Sequence, residues 1–188
     1  MSTLFKTPVA ALLALAATAT LADQKVVPAQ SEIAFVSRQM GVPVEGKFHK
    51  WDAQLAFDPK KPEAGKVAFS IDTGSASFGS AETDAEVPKP EWFSVVKFPK
   101  ATFQSTAMKG LGSGKFEVTG QLNIKGAVRN VVVPVAITQA GANTTASGQF
   151  TLKRLDFKIG EGDWTDTSMV ANEVVVKFKL AVTGVAPL

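Results

Sequence analysis

Lys115-Phe116-Glu117-Val118-Thr119-Gly120-Gln121-Leu122-Asn123-Ile124-Lys125 is the stretch that decides the fold of this chain. Apolar and polar residues alternate through it. Phe116, Val118, Leu122 and Ile124 take one side; Glu117, Thr119, Gln121, Asn123 and Lys125 take the other. Successive side chains of a strand point to opposite faces, so the stretch reads as a β-strand with one buried face. Gly120 falls on the apolar side, where it admits a bend or the close approach of another group. Lys125-Gly126 reads as a turn, and Val131, Val133, Val135 and Ile137 resume the alternation beyond it.

The same period recurs on both sides. Upstream, Ile33, Phe35 and Ser37 share a face, as do Trp51, Ala53, Leu55 and Phe57 before an Asp58-Pro59 turn. Val67, Phe69 and Ile71 follow, then Ala101, Phe103 and Ser105. Downstream come Phe150 and Leu152, then Val174, Val176, Phe178, Leu180 and Val182. The sequence therefore predicts an all-β, single antiparallel domain of about eight strands, mostly joined by short turns such as Gly110–Gly114 and Gly141–Asn143. Such strands close as a barrel or stack as a sandwich. A barrel of this size holds either packed side chains or one small ligand, and periodicity does not choose between them. Two connections are longer. Residues 74–99 hold a segment, Ser80–Val87, that reads as a short helix, followed by Pro88-Lys89-Pro90 and the aromatic group Trp92, Phe93 and Phe98. Residues 154–172 hold Arg154, Phe157, a glycine-rich Gly160–Gly162 stretch and Trp164.

Composition narrows the chemistry. The chain has 188 residues, 45% of them hydrophobic and 20% charged, which is globular composition for one domain. It has no Cys and a single His, His49. That removes disulfide frameworks, Cys-ligated metals, cysteine nucleophiles and multi-His metal sites, so neither a catalytic cofactor nor a metal site is expected. The net charge of +3 comes from scattered lysines without interleaved aromatics, a poor basis for nucleic-acid binding. Thirteen Phe and no Tyr suit an apolar interior with no hydroxyls to satisfy. These features favour a binding protein over an enzyme.

Residues 1–22 read as a secretory signal peptide. Lys6 supplies a positive start, Val9 to Ala19 an apolar stretch too short to span a bilayer, and Thr20-Leu21-Ala22 small residues at the cleavage positions. The mature domain is then 23–188, exported, most simply to the periplasm.

Several patterns, in order, resemble the YceI-like polyisoprenoid-binding family of exported bacterial proteins. Ser31-Glu32-Ile33-Ala34-Phe35 with Met40-Gly41 and Val44-Glu45-Gly46-Lys47-Phe48 resembles its first hairpin. Phe57-Asp58-Pro59 resembles the end of its second strand. Thr83-Asp84, Trp92-Phe93 and Lys97-Phe98-Pro99-Lys100-Ala101-Thr102-Phe103 resemble its most specific stretch. Val118 to Gly126 resembles its strand-and-turn motif, and Arg154-Leu155-Asp156-Phe157 with Ile159-Gly160 its late motif. The chain departs from the family where members often carry His, having Gln39, Glu86 and Lys125, and it has Thr83 where the family usually has Arg.

The resemblance implies a lipocalin-like eight-stranded barrel whose internal apolar tunnel binds an isoprenoid chain, of a quinone or a polyprenyl lipid, with one or two short helices in a long connection. It nominates as tunnel lining Phe35, Trp51, Leu55, Phe57, Phe69, Ile71, Trp92, Phe93, Phe103, Phe116, Val118, Gly120, Leu122, Val133, Phe150 and Phe178. It admits transient membrane contact for ligand exchange, and a homodimer. The competing reading is a non-enzymatic assembly partner of a periplasmic complex, with a filled core. Among singular residues, His49 reads as a surface or mouth residue, and Asp84 with Glu86 makes a poor acid–base pair. Arg154 and Asp156 read as a structural ion pair in preference to a headgroup site. Trp92 and Phe93 form a plug or a parting lid.

Overall fold

The computed structural model describes residues 24–188, so the signal-peptide reading of 1–22 lies outside the described residues. Among the described residues, eleven strands form one antiparallel sheet: β1 Lys25–Val26, β2 Glu32–Gln39, β3 Val42–Phe48, β4 Trp51–Ala56, β5 Lys66–Asp72, β6 Ala76–Ser77, β7 Lys100–Gly112, β8 Lys115–Ile124, β9 Ala127–Ala140, β10 Asn143–Lys153 and β11 Glu173–Thr183. The order is β4-β5-β7-β8-β9-β10-β11-β2-β3-β6, with β1 beside β11. One α-helix, α1 (Ala81–Glu86), lies between β6 and β7, and Ser80 caps it by accepting from the Thr83 amide.

The expected count of eight is corrected to eleven. The strands that alternation alone does not mark are β1, β3 and β6, of which β3 enters only through the resemblance to the family's first hairpin. Residues 42–48 carry Pro43, Glu45, Gly46 and Lys47, which blur the alternation, while β1 and β6 are two residues each. Strand β3 runs into β4 through His49-Lys50, and β5 into β6 through Thr73–Ser75. The two segments meet at this corner: the His49 amide donates to the Ser75 carbonyl (3.1 Å) and the Asp72 amide to the Lys50 carbonyl (2.9 Å). Because β3 pairs with β6 and β4 with β5, the far ends of the strand order belong to neighbouring chain segments, and the sheet curls back on itself. On the open edge of β4, the Gln24 side chain stands in for a strand. Its amide donates to the Phe57 carbonyl (2.6 Å) and accepts from the Phe57 amide (2.8 Å).

Two local devices keep the apolar face inward. The β7–β8 register shifts between Ser105 and Ala107, a bulge at Thr106. One extra residue reverses which side each later side chain takes, so Met108 is buried and Lys109 exposed. The β8–β9 turn is the two-residue Lys125-Gly126 loop with φ of 51° and 76°, the left-handed pair that matches hairpin twist.

Candidate functional site

The buried apolar residues form four clusters around a hollow. Ala101, Leu122, Ile124, Leu152, Phe157 and Ile159 make one, joined at Phe93 and Val174 to a second around Phe35, Ala76 and Val87. Phe57, Met108, Phe116, Val118 and Ile137 make a third, joined at Ala146 and Val185 to a fourth around Ile33, Leu180 and Val182. Phe103 packs against both the first and the third. Between them runs a cavity of about 660 Å³ with an almost wholly apolar lining, within the range of small-molecule sites. The filled interior of the competing reading is not observed.

Fourteen of the sixteen nominated residues line this cavity. Phe35 comes from β2, Leu55 and Phe57 from β4 and its end, Phe69 and Ile71 from β5. Phe103, Phe116, Val118 and Leu122 come from β7 and β8, and Val133, Phe150 and Phe178 from β9, β10 and β11. Trp92 and Phe93 reach it from the connection before β7. Phe103 and Phe150 keep accessible surface despite lying on the inner wall, because the surface they show faces the hollow.

Two nominated residues stand elsewhere. Gly120 is buried, but a Cβ there would lie 2.5 Å from Phe103 Cε2 and 2.6 Å from the Gln104 carbonyl oxygen. The Phe103 ring covers the glycine, so Gly120 seats an aromatic and does not project into the hollow. Gly46 under Phe35 and Gly148 under Phe178 repeat the arrangement. Trp51 stands at the corner after Lys50 and packs beside Phe69, ring centroids 6.4 Å apart, outside the lining.

One end of the cavity is capped by α1 and the two long connections. Trp92 and Trp164 contact each other there, ring centroids 5.4 Å apart, and both line the cavity. The expected Arg154–Asp156 ion pair is replaced by a different arrangement. Arg154 is 2% exposed and donates from Nε to the Ala171 carbonyl, from Nη1 to Ile159 and Gly160, and from Nη2 to Trp164 and Val170. All five guanidinium N–H groups are engaged by main-chain carbonyls. Burial pulls the group below its ordinary pKa.

Lys125, read from the sequence as outward-facing, is buried. Its Nζ donates to the carbonyls of Pro90 (2.6 Å) and Lys158 (2.7 Å) and to Glu161 Oε2 (2.8 Å). It thereby ties the two connections together; the Gly160 and Glu161 amides add bonds to the Glu91 carbonyl. Its position in a two-residue turn was the signal, since a left-handed backbone re-aims the side chain. Asp84 is structural: it accepts from the Phe78 amide (2.6 Å) and Ser77 Oγ (2.7 Å), which hold its carboxyl below the usual range, with nearby His49 adding to the effect. His49 itself is exposed. Gln39, Thr83 and Glu86, at the positions of the family departures, line the capped end together.

The other end is closed by the edge-to-face pair Phe57–Phe116 (5.1 Å), by Val26, and by the C-terminal Val185. Gln139 anchors that tail, donating to the Ala186 carbonyl and accepting from the Leu188 amide, both at 2.9 Å.

The comparisons agree with this architecture. The YceI-like domain matches residues 24–182. A UPF0312 protein of Azotobacter vinelandii is 38% identical over 88 residues, a match spanning about half of either chain (47% of this one, 46% of that one). A UPF0312 protein of Yersinia pestis is 32% identical over 195 residues, covering 97% of this chain and 96% of that protein. The crystal structure of Burkholderia cenocepacia BcnA superposes with a TM-score of 0.81 at 43% identity, over 84% of this chain and 99% of that one. A polyisoprenoid binding domain from Saccharophagus degradans, implicated in plant cell wall breakdown, shares the fold at 17% identity with a TM-score of 0.69, over 88% of this chain and 99% of that one. With its family motifs in order along a curled antiparallel sheet, the chain belongs to the YceI-like family.

Proposed function

We propose that this protein is a carrier that buries the tail of an isoprenoid lipid, a quinone or a polyprenyl species, in the hollow of its curled sheet. The observation that carries the reading is the apolar cavity of about 660 Å³, lined from strands all round the sheet. An isoprenoid tail has almost nothing to hydrogen-bond, so affinity comes from removing apolar area from water. About fifteen buried methylene-sized groups supply on the order of 12 kcal/mol gross. Ordering the chain and losing free motion remove several kcal/mol of this, leaving binding of roughly micromolar or better. The polyisoprenoid-binding name of the Saccharophagus degradans domain, which shares the fold, supports the same ligand class.

The work done is burial and transfer, without catalysis. The residue pattern of 1–22 supports export, so the carrier operates in the periplasm, between a membrane that donates the lipid and an acceptor. Exposed Met40 and Val42 at the β2–β3 turn, with exposed Met169 beside them, give an apolar tip for transient membrane contact; the Met40 amide donates to the Met169 carbonyl at 2.8 Å.

Fluorescence tests the reading. A short-chain isoprenoid quinone should quench tryptophan emission saturably, and Trp92→Phe combined with Trp164→Phe should remove most of that quenching, because those two rings line the cavity and Trp51 does not. Quenching that never saturates would count against a site inside the sheet.

A further inference from the structure

The far end of the cavity is shut in part by a residue that no strand carries. Phe116, Ile137, Thr144 and Val182 line that end from paired strands, whereas Val185 lies beyond β11, which ends at Thr183. Gly184, with φ of 78°, turns the chain there, a conformation glycine adopts without steric cost. Val185 then packs against both far clusters, the one around Phe57 and Phe116 and the one around Ile33 and Leu180. Among the described residues, the hydrogen bonds on 184–188 come from one side chain. Gln139 donates to the Ala186 carbonyl and accepts from the Leu188 amide, both at 2.9 Å. The same amide donates to Oγ1 of the buried Thr144 at 3.1 Å, which steadies it against the wall. An apolar side chain on a segment clamped at one point thus closes the hollow.

We propose that Val185, placed by the Gly184 turn and the Gln139 clamp, is the stop that sets how long an isoprenoid tail the hollow buries, with Val185 and Gln139 as the chain-length residues. The proposal rests on the reading of the cavity as an isoprenoid site. A tail entering at the α1 end runs toward Val185 and ends against it. A methylene-sized group takes roughly the room of one water molecule, about 30 Å³. The hollow of about 660 Å³ therefore takes on the order of twenty carbons, or about four isoprene units. A shorter tail leaves part of the hollow empty, and the lining atoms there lose their contacts. A longer tail leaves its remaining units outside, where their apolar surface meets water. The fit peaks at the length that reaches from mouth to stop.

The test offers the purified protein an equimolar series of isoprenoid alcohols of two to six units in non-ionic detergent micelles, re-isolates the protein and quantifies the bound alcohols by mass spectrometry. The wild-type protein should hold most of the alcohol of about four units and at least about threefold less of the six-unit one. Gln139→Ala/Val185→Gly frees the segment and empties its place, and should move the peak at least about one unit longer. Ala146→Phe sets a ring into the same end from a paired strand, and should move the peak about one unit shorter. Leu111→Ala, at an exposed position outside the lining, should leave the peak in place. Circular dichroism melts show whether each variant is folded. Should the double variant fail to fold, Val185→Gly alone should move the peak in the same direction. A wild-type profile that climbs through six units without a peak, or a peak unmoved in the folded far-end variants, overturns the stop while leaving the isoprenoid reading intact. Recovery of no alcohol from the wild type overturns the isoprenoid reading itself.

Discussion

The two ends of the cavity are closed by different chemistry. At the α1 end, charged side chains hold two long connections through main-chain carbonyls: Arg154 engages five and Lys125 two. At the far end, Phe57, Phe116 and Val185 pack directly, and neutral amides do the tying, Gln24 to Phe57 and Gln139 to the tail. Exposure separates them further. Glu82 and Trp164 line the cavity and are also exposed, and both belong to the α1 end. No lining residue at the far end is exposed. On the proposed carrier reading, the α1 end is the entrance. A cap that must part for a ligand while its connections keep their shape is well served by rigid polar ties behind a movable aromatic contact. The far end is closed by packing with a few neutral amide ties.

The largest effect should follow from breaking the cap's central tie. Arg154→Met leaves five main-chain carbonyls without their donor in a buried site. It should cost at least about 3 kcal/mol in urea unfolding. Hydrogen exchange should rise first over 154–172 and not in the tail. A loss under about 1 kcal/mol would mean that the cap is held by packing, as the far end is.

Next comes the waist between the ends, where Phe103 packs against both inner clusters and covers Gly120. Gly120→Ala should destabilise by about 2 kcal/mol, since a methyl there meets a ring and a fixed carbonyl. Phe103→Leu in the same chain should relieve part of that cost. Additive losses in the double variant would show that the ring and the glycine do not share one space.

A smaller change is expected at the far end. Gln139→Ala removes two bonds to the tail and should cost about 1 kcal/mol, with exchange rising only over 184–188.

The smallest effect concerns pH at the α1 end. The Phe78 amide and the Ser77 hydroxyl lower the Asp84 pKa in the folded state below its ordinary value of about 3.8. Its stabilising contribution is therefore complete above that value and is lost as pH falls through the depressed folded pKa. Asp84→Asn should flatten this part of the acid-unfolding profile. An unchanged profile would remove Asp84 from the ties that hold α1 against β6.

Strand faces were legible in the sequence because alternation is local: Phe116, Val118 and Leu122 declare their side without reference to any other strand. Positions that depend on a partner strand were not. Gly120 shares the inner face, yet only the β7–β8 register places Phe103 over it. Pro43, Glu45 and Lys47 hid β3, whose mixed burial follows from its place at the corner. Lys125 looked outward by alternation, but the left-handed turn backbone breaks the period at that residue. Arg154 suggested Asp156, two residues away, as an ion partner; its true acceptors lie up to 17 residues along a loop that no local pattern describes.

Whether the hollow holds an isoprenoid tail is tested most directly by mass spectrometry of an organic extract. The protein should be purified gently from its native host, because heterologous expression offers foreign lipids. The expected result is one isoprenoid species at near one-to-one ratio with protein. Recovery of no lipid, or of straight-chain fatty acids alone, would contradict the claim.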